Sequence, residues 1–325
     1  AKGANVDKLA AEFADELDSL GVRVANLEKK ADNVKITGEV RASYRDVDTD
    51  AAGHDGHEGL LRSRLWVNGQ INEDWSYTGM FENNQDFGNK TGDDKIDFAR
   101  AYVEGRVGGL DVVAGRYNEV TFTGNILDAN MDMAKVSYGD KIKVSAAAGK
   151  AYDSVEVNDK TMLDSDDRIY IGTLEAALGD VDAYVAYFKT NSNMDKEIWN
   201  VGASYGFGDF TLSAEYMRGD KEYENAGKDG WWADLAWKGA SADEPGSYGL
   251  HVGYFDQSAN AYITPTTDGF YADSDIFDQG YKGWNVGASW APAKNVVAVV
   301  NYYDFEGKEN GKDAETIFSE LYFSF

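Results

Sequence analysis

Six arginines sit where the chain alternates, residue by residue, between polar and apolar side chains: Arg41, Arg45, Arg62, Arg64, Arg100 and Arg116. Guanidinium groups sharing one face of a sheet can line a water-filled path, where fixed charge biases which solutes pass. Glu119, Asp128 and Asp132 follow in a segment, 118–132, that reads as a loop. Carboxylates facing an arginine wall would set a transverse field, orienting dipolar solutes and penalising apolar ones. The same arginines also read as structural charges that buttress such a loop, and both roles can hold together.

Other constellations carry less. Asp46-Val47-Asp48-Thr49-Asp50 with His54, Asp55, His57 and Glu58 offers carboxylates suited to calcium and imidazoles suited to zinc. It lacks the glycine and closing glutamate of a calcium loop, so a solvated acidic loop, or one bridged by divalent ions to lipopolysaccharide, is the simpler reading. Asp164-Ser165-Asp166-Asp167 is weaker still. No metal site or cofactor is expected beyond loop-bound calcium or magnesium. For hydrolysis the chain has no Gly-x-Ser-x-Gly elbow and no cysteine, and His251 is the one histidine outside the first loop. A Ser–His pair at His251 is conceivable, but a polar residue lining a pore is the plainer role, and no enzyme is expected. The glycines at 280, 283 and 287 do not lead from a strand into a helix, so they are not a phosphate loop.

Composition narrows the class. The 325 residues carry 57 Asp and Glu against 31 Lys and Arg, a net charge of -26, which repels nucleic-acid phosphates. The longest apolar run is about five residues, 296–300, against the roughly 20 a membrane helix needs. Barrel strands cross membranes without such runs, because lipid-facing and lumen-facing residues alternate. The 20 tyrosines, 8 tryptophans and 35 glycines, with the 3 prolines confined to expected turns and loops, favour such strands. The chain starts at Ala1 with no signal peptide, so a processed or trimmed N-terminus is expected.

Positioning these residues falls to two kinds of element. Over residues 1–34, Ala10, Leu17, Val24 and Ala31 occupy a positions of a heptad, and Val6, Phe13, Leu20, Leu27 and Val34 the d positions. A seven-residue period over more than four heptads predicts an α-helical coiled coil rather than one amphipathic helix on a globular body. From Lys35 the period becomes two. Ile36, Val40, Ala42 and Tyr44 alternate with Thr37, Glu39, Arg41, Ser43 and Arg45; Leu65, Val67 and Ile71 with Arg64, Trp66, Asn68 and Gln70; Phe210, Leu212, Ala214 and Tyr216 with Thr211, Ser213, Glu215 and Met217; Trp284, Val286, Ala288 and Trp290 with Asn285, Gly287 and Ser289. Aromatics at both ends of an apolar face are the girdles of a membrane barrel.

Connections alternate too. Short turns near Asn72–Asp74, Gly108–Gly109, Gly139–Asp140, Gly179–Asp180, Gly208–Asp209 and 292–295, and a longer one at 239–246, separate long polar segments at 48–59, 84–94, 118–132, 153–166, 190–196, 219–229, 256–280 and 304–313. This predicts an all-β transmembrane fold, an antiparallel barrel of about 16 strands over 35–325. An even count puts both ends on one side, so 1–34 would be a periplasmic stalk. Facing is ambiguous for 108–117, 168–178 and 294–303. The last strand ends Leu321, Phe323, Phe325 on one face with Ile317, and a terminal Phe resembles the signal read by the outer-membrane assembly machinery.

The whole pattern resembles the general bacterial porins, through Ile36-Thr37-Gly38-Glu39-Val40-Arg41, Arg62-Ser63-Arg64-Leu65 and Ala114-Gly115-Arg116-Tyr117 before a long third loop. The stalk running into the first strand is similar to OmpM-type porins, in which an S-layer-homology (SLH) domain, a coiled coil and a trimeric barrel follow one another. That resemblance implies an outer-membrane diffusion channel, a homotrimer, and a third loop folded into the lumen. It also implies a tether to peptidoglycan through an SLH domain, for which residues 1–5 are far too short. A barrel serving mainly as an anchor, with a restricted pore, is the alternative. The acidic outer loops would concentrate cations at the mouth, predicting a weak cation preference.

Overall fold

The computed structural model describes residues 13, 33–53, 55–87, 95–152, 155–157, 160–163, 165, 167–191, 195–220, 227–271 and 274–325. The predicted coiled-coil core at Val6, Leu17, Leu20, Val24 and Leu27 lies outside the described residues; Phe13, which is described, is helical and exposed.

The period-two segments form β1 (Val34–Thr49), β2 (Gly56–Gln70), β3 (Trp75–Asp86), β4 (Asp97–Val107), β5 (Leu110–Val120), β6 (Asp128–Tyr138) and β7 (Ile142–Ala151). A loop hairpin of β8 (Val155–Val157) and β9 (Lys160–Leu163) follows. Then come β10 (Arg168–Leu178), β11 (Val181–Asn191), β12 (Glu197–Phe207), β13 (Phe210–Gly219), β14 (Asp229–Lys238), β15 (Tyr248–Gln257), β16 (Tyr281–Ala293), β17 (Val296–Gly307) and β18 (Asp313–Ser324). Leaving out the hairpin, 16 strands pair with their neighbours, and β1 closes on β18. Every barrel pairing is antiparallel, as two-residue connections such as Gly108–Gly109 require.

At the seam, Gly38 donates N–H to the carbonyl of Phe325 at 2.8 Å and accepts the Phe325 N–H at 2.9 Å. The Phe325 ring covers Gly38: a Cβ at Gly38 would sit 2.2 Å from the ring. Leu321 and Phe323 share the outward face of β18 with exposed Ile317, and Phe325, just past the strand, is exposed as well.

The outward face carries two aromatic belts. Tyr187–Trp199, Trp231–Tyr254 and Tyr254–Trp284 pack at 4.7–5.2 Å towards the long loops. Phe207–Phe210 and Trp237–Tyr248 pack at 5.6 Å towards the short turns. Between them lie exposed Val201, Leu212, Leu235, Val252 and Val286. Amphipathic rings at both edges of an aliphatic band match a bilayer with its two interfaces. Among the described residues no helix is long and apolar enough to cross a membrane.

Inward-facing residues of the long-loop half are apolar on one flank. Met131, Met133, Ile169, Ile171, Phe188, Ile198 and Met217 are buried in one cluster with Ile126, Leu127, Ala261 and Ile263 from two loops. That explains the ambiguous 168–178 segment. Ile169 and Ile171 point in to receive the loops, while Tyr170 and Leu174 point out and are exposed.

Candidate functional site

β1 to β4 carry the arginine wall on their inward face. Arg41 and Arg62 stand directly opposite each other across β1 and β2, and Glu39, Arg64 and Glu82 form the adjacent row across β1, β2 and β3. Arg64 is held by both neighbours, at 3.1 Å to Glu39 and 2.5 Å to Glu82. Arg41 reaches Glu320 of β18 at 3.5 Å, and Arg62 reaches Glu39 at 4.0 Å. The regular β3–β4 register places Arg100 opposite buried Met80 and on the same face, just before the register shifts at Phe81. There it lies over Trp66 at 5.4 Å and donates to Asn130 at 3.1 Å. Arg45, higher on β1, binds Asp268 at 2.6 Å and lies 4.9 Å from the centre of the Tyr271 ring.

Arg116 does not join them. Its neighbours Tyr117 and Glu119 point inward, Tyr117 packing on Tyr102 and Glu119 binding Lys135 at 2.9 Å. Arg116 therefore faces outward, because side chains alternate along a strand. It makes a two-pronged pair with Asp132 at 2.7 and 2.9 Å and stacks on Tyr152 at 3.6 Å. Asp132 shares its face with exposed Val136 and Tyr138.

The expected acidic loop is corrected as well. Glu119 and Val120 still belong to β5 and Asp128 already to β6, so the third loop is only 121–127, Thr-Phe-Thr-Gly-Asn-Ile-Leu, without a charge. Asp128 accepts from Asn118 at 2.7 Å. Glu119 is engaged by Lys135 and Asp132 by Arg116, so these acids lie on strands and do not form a charged loop facing the arginine wall.

The loop nevertheless enters the lumen, seated by neutral contacts around one carboxylate. Glu215, inward on β13 and 5% exposed, accepts from Thr123 at 2.7 Å, Asn125 at 2.6 Å, Tyr184 at 2.5 Å and Asn200 at 3.2 Å. Phe122 stacks on Tyr184 at 3.6 Å. Four charge-assisted bonds satisfy a carboxylate that burial would otherwise penalise. Gly202 makes room for this, since a Cβ there would meet the Tyr184 ring at 2.3 Å.

A second loop, 258–280, meets the first. Leu127 and Thr264 form a parallel bridge, and backbone bonds link Thr264 N–H to Ile126 O at 3.0 Å and Thr266 N–H to Gly124 O at 2.9 Å. Lys196 donates to the carbonyls of Ala259 and Tyr262 at 3.0 and 2.7 Å, and Lys308 to Ser258 at 2.9 Å. Thr316 of β18 donates to Gly269 O at 2.7 Å, and Phe270 packs on Tyr281 and Phe305. This loop therefore touches inward residues from β13 round to β1. The two loops pack against inward residues from β5 round to β18, leaving the β1–β4 flank lined by half-buried Arg41, Arg62, Arg64, Arg100 and Trp66. Sequence reasoning missed Glu215 and Asp268. The alternation marked Glu215 as inward, but nothing local shows a loop arriving from residues 121–127.

His251 is inward on β15, with Asp234 and Asn301 each at 3.0 Å as its hydrogen-bond partners. Neither is a hydroxyl that could act as a nucleophile. Among the described residues no group of three or more His, Asp or Glu side chains is placed to hold a metal.

A closed antiparallel barrel with belts outside and loop-narrowed charge inside defines an outer-membrane channel. Over residues 11–319 the chain matches the family model for Gram-negative porins, and it belongs to that family. Among curated proteins none matches. Solved structures share the fold at low identity. Pseudomonas putida OprB is 11% identical with a TM-score of 0.63, covering 95% of this chain and 97% of its own. A mutant of Rh. blastica porin is 13% identical with a TM-score of 0.60, covering 90% and 100%. Pseudomonas aeruginosa OccK11 (OpdR) is 11% identical with a TM-score of 0.59, covering 90% and 96%.

Proposed function

We propose that this porin is a diffusion channel for ions and small hydrophilic solutes whose open path follows the arginine wall of β1 to β4. The observation that carries this is the uneven filling of the lumen: the two loops pack against inward residues from β5 round to β18, and Arg41, Arg62, Arg64 and Arg100 stay partly exposed beside an uncharged loop. Arg45 buttresses the second loop through Asp268 rather than lining the open path.

The assembly we propose is a homotrimer. Outward β1 to β5 is the face assigned to contact between copies, because small and aliphatic residues such as Val40, Ala42, Leu65, Gly79, Ala101 and Ala114 lie there between the aromatics Tyr44, Trp75, Phe81 and Phe98. The expected coiled coil stops one residue sooner, because Val34 already belongs to β1; the residues before it would gather the three copies on the short-turn, periplasmic side. In OmpM-type porins such a stalk leads to an SLH domain that grips peptidoglycan, and a tethering role is proposed on that resemblance. Leu321, Phe323 and Phe325 are proposed as the signal to the barrel assembly machinery, and the outer rim as the contact with lipopolysaccharide.

Single-channel recording in a planar bilayer tests the reading. Stepwise openings in threes, retained after deletion of residues 1–32, are expected. Silence from folded, inserted protein would make the barrel an anchor instead.

A further inference from the structure

We propose that Lys150 and Arg168, on the outward face where β7 and β10 reach the long-loop rim, form one discrete seat for a phosphate of an outer-leaflet lipid headgroup. This rests on the reading of the outer rim given above and narrows it to a single place. Four outward side chains stand in direct register across β5, β6, β7 and β10: Arg116, Asp132, Lys150 and Arg168. Alternation fixes the facing of the last two. Val144 on β7 and Tyr170 and Leu174 on β10 share it and are exposed, whereas Ala147, Ala151, Ile169 and Ile171 are buried inside. The row thus holds three cations and one carboxylate, and Arg116 already grips both oxygens of Asp132. Among the described residues no ion pair holds Arg168.

The contrast with the rest of this rim points to a ligand. Lys189 stands opposite Glu197, Arg218 opposite Asp229 and Lys282 opposite Glu306, and each of these cations is paired with the acid it faces. Lys150 instead faces Arg168. Like charges directly opposite destabilise a strand pair unless something neutralises them. Both side chains point away from the lumen, so the neutralising group comes from outside the barrel wall. Arg168 and Leu178 are the two ends of an 11-residue strand, the length that crosses the hydrocarbon layer. Arg168 therefore stands at headgroup depth, with Tyr170 two residues nearer the membrane centre. At that depth a phosphate is the partner whose oxygens match the guanidinium fork and also take an ammonium. The chain's charge of -26 repels anionic headgroups in general, so this pair fixes where one can settle. Lys150 and Arg168 also flank the loop of β8 and β9, whose Leu163 is buried in the core, so a bound headgroup would tie together the two feet of that loop.

The test is native mass spectrometry of the full chain in detergent, with bisphosphorylated lipid A as the probe and the same lipid stripped of its phosphates as the comparison. The parent should retain lipid A, hold the stripped lipid much more weakly, and keep lipid A in millimolar inorganic phosphate. K150Q and R168Q should each weaken retention about tenfold, the effect of losing one charge-assisted hydrogen bond. R168K should fall between, keeping charge without the fork. Both side chains are exposed, so these variants keep the barrel. R218Q and K282Q, at rim cations already paired with acids, should match the parent. Lipid A retained equally by K150Q/R168Q overturns the seat and leaves the rim contact standing, the two cations then being neutralised within the chain. Displacement by inorganic phosphate makes this a free-phosphate site and overturns the lipid reading. A parent that retains no lipid A overturns the rim contact and the seat with it.

Discussion

Arg45 and Asp268, 223 residues apart in sequence, meet at 2.6 Å and pin the 258–280 loop to the first strand of the barrel. Asp268→Ala would leave Arg45 half-buried beside Tyr271 with no acid. The loss is on the order of 1–2 kcal/mol, between the exposed and buried limits for such pairs. The expected result is a loop that protease reaches faster and a larger, noisier single-channel conductance. Unchanged conductance with a cleavable loop would mean that the strap does not limit flow.

Glu215 is the seat of the first loop. Glu215→Ala leaves the donors of Thr123, Asn125, Tyr184 and Asn200 without their acceptor, a cost on the order of 3 kcal/mol. Denaturant unfolding should show that loss, and recordings should show flicker. Glu215→Gln keeps the shape but puts a donor among donors, and should recover only part of both.

Gly202 tests the same seat from the wall side. A methyl at this position collides with Tyr184, whose hydroxyl is bonded to Glu215 and whose ring carries Phe122. Gly202→Ala should therefore mimic part of Glu215→Ala, although residue 202 touches neither solute nor loop. Tyr184→Phe should be milder than either, as it removes one bond and keeps the stack.

Phe325→Ala strips the ring from Gly38 but keeps the two backbone bonds at the seam. Folded barrels resist unfolding in detergent until heated, so gel mobility with and without heating measures assembly. The expected outcome is slower accumulation of the folded form, with conductance of assembled channels unchanged.

Much of the barrel could be read in advance because a two-residue period encodes facing directly. Trp284, Val286 and Trp290 against Asn285 and Ser289 need no partner to be understood. The reading failed where tertiary packing overrides that code. Ile169, Phe188 and Met217 are apolar yet inward, because incoming loops make that part of the lumen a core. Arg116 and Asp132 are charged yet outward, because they neutralise each other side by side beneath Tyr152. The loop at 118–132 looked long only because its polar residues, Asn118, Asp128 and Asn130, sit at the ends of β5 and β6.

The seam between β1 and β18 has a kinetic meaning. Tyr322 and Glu39, 283 residues apart, bond across it. Contacts that distant carry a large loop-closure cost before they return any stability, which slows folding. Until β18 has been synthesised and delivered, the sheet has two raw edges, each a template for pairing with a neighbouring chain. A ribosome that stops short of β18 releases not a smaller pore but an open sheet prone to aggregate, so the chain must be held apart from its own copies throughout its transit.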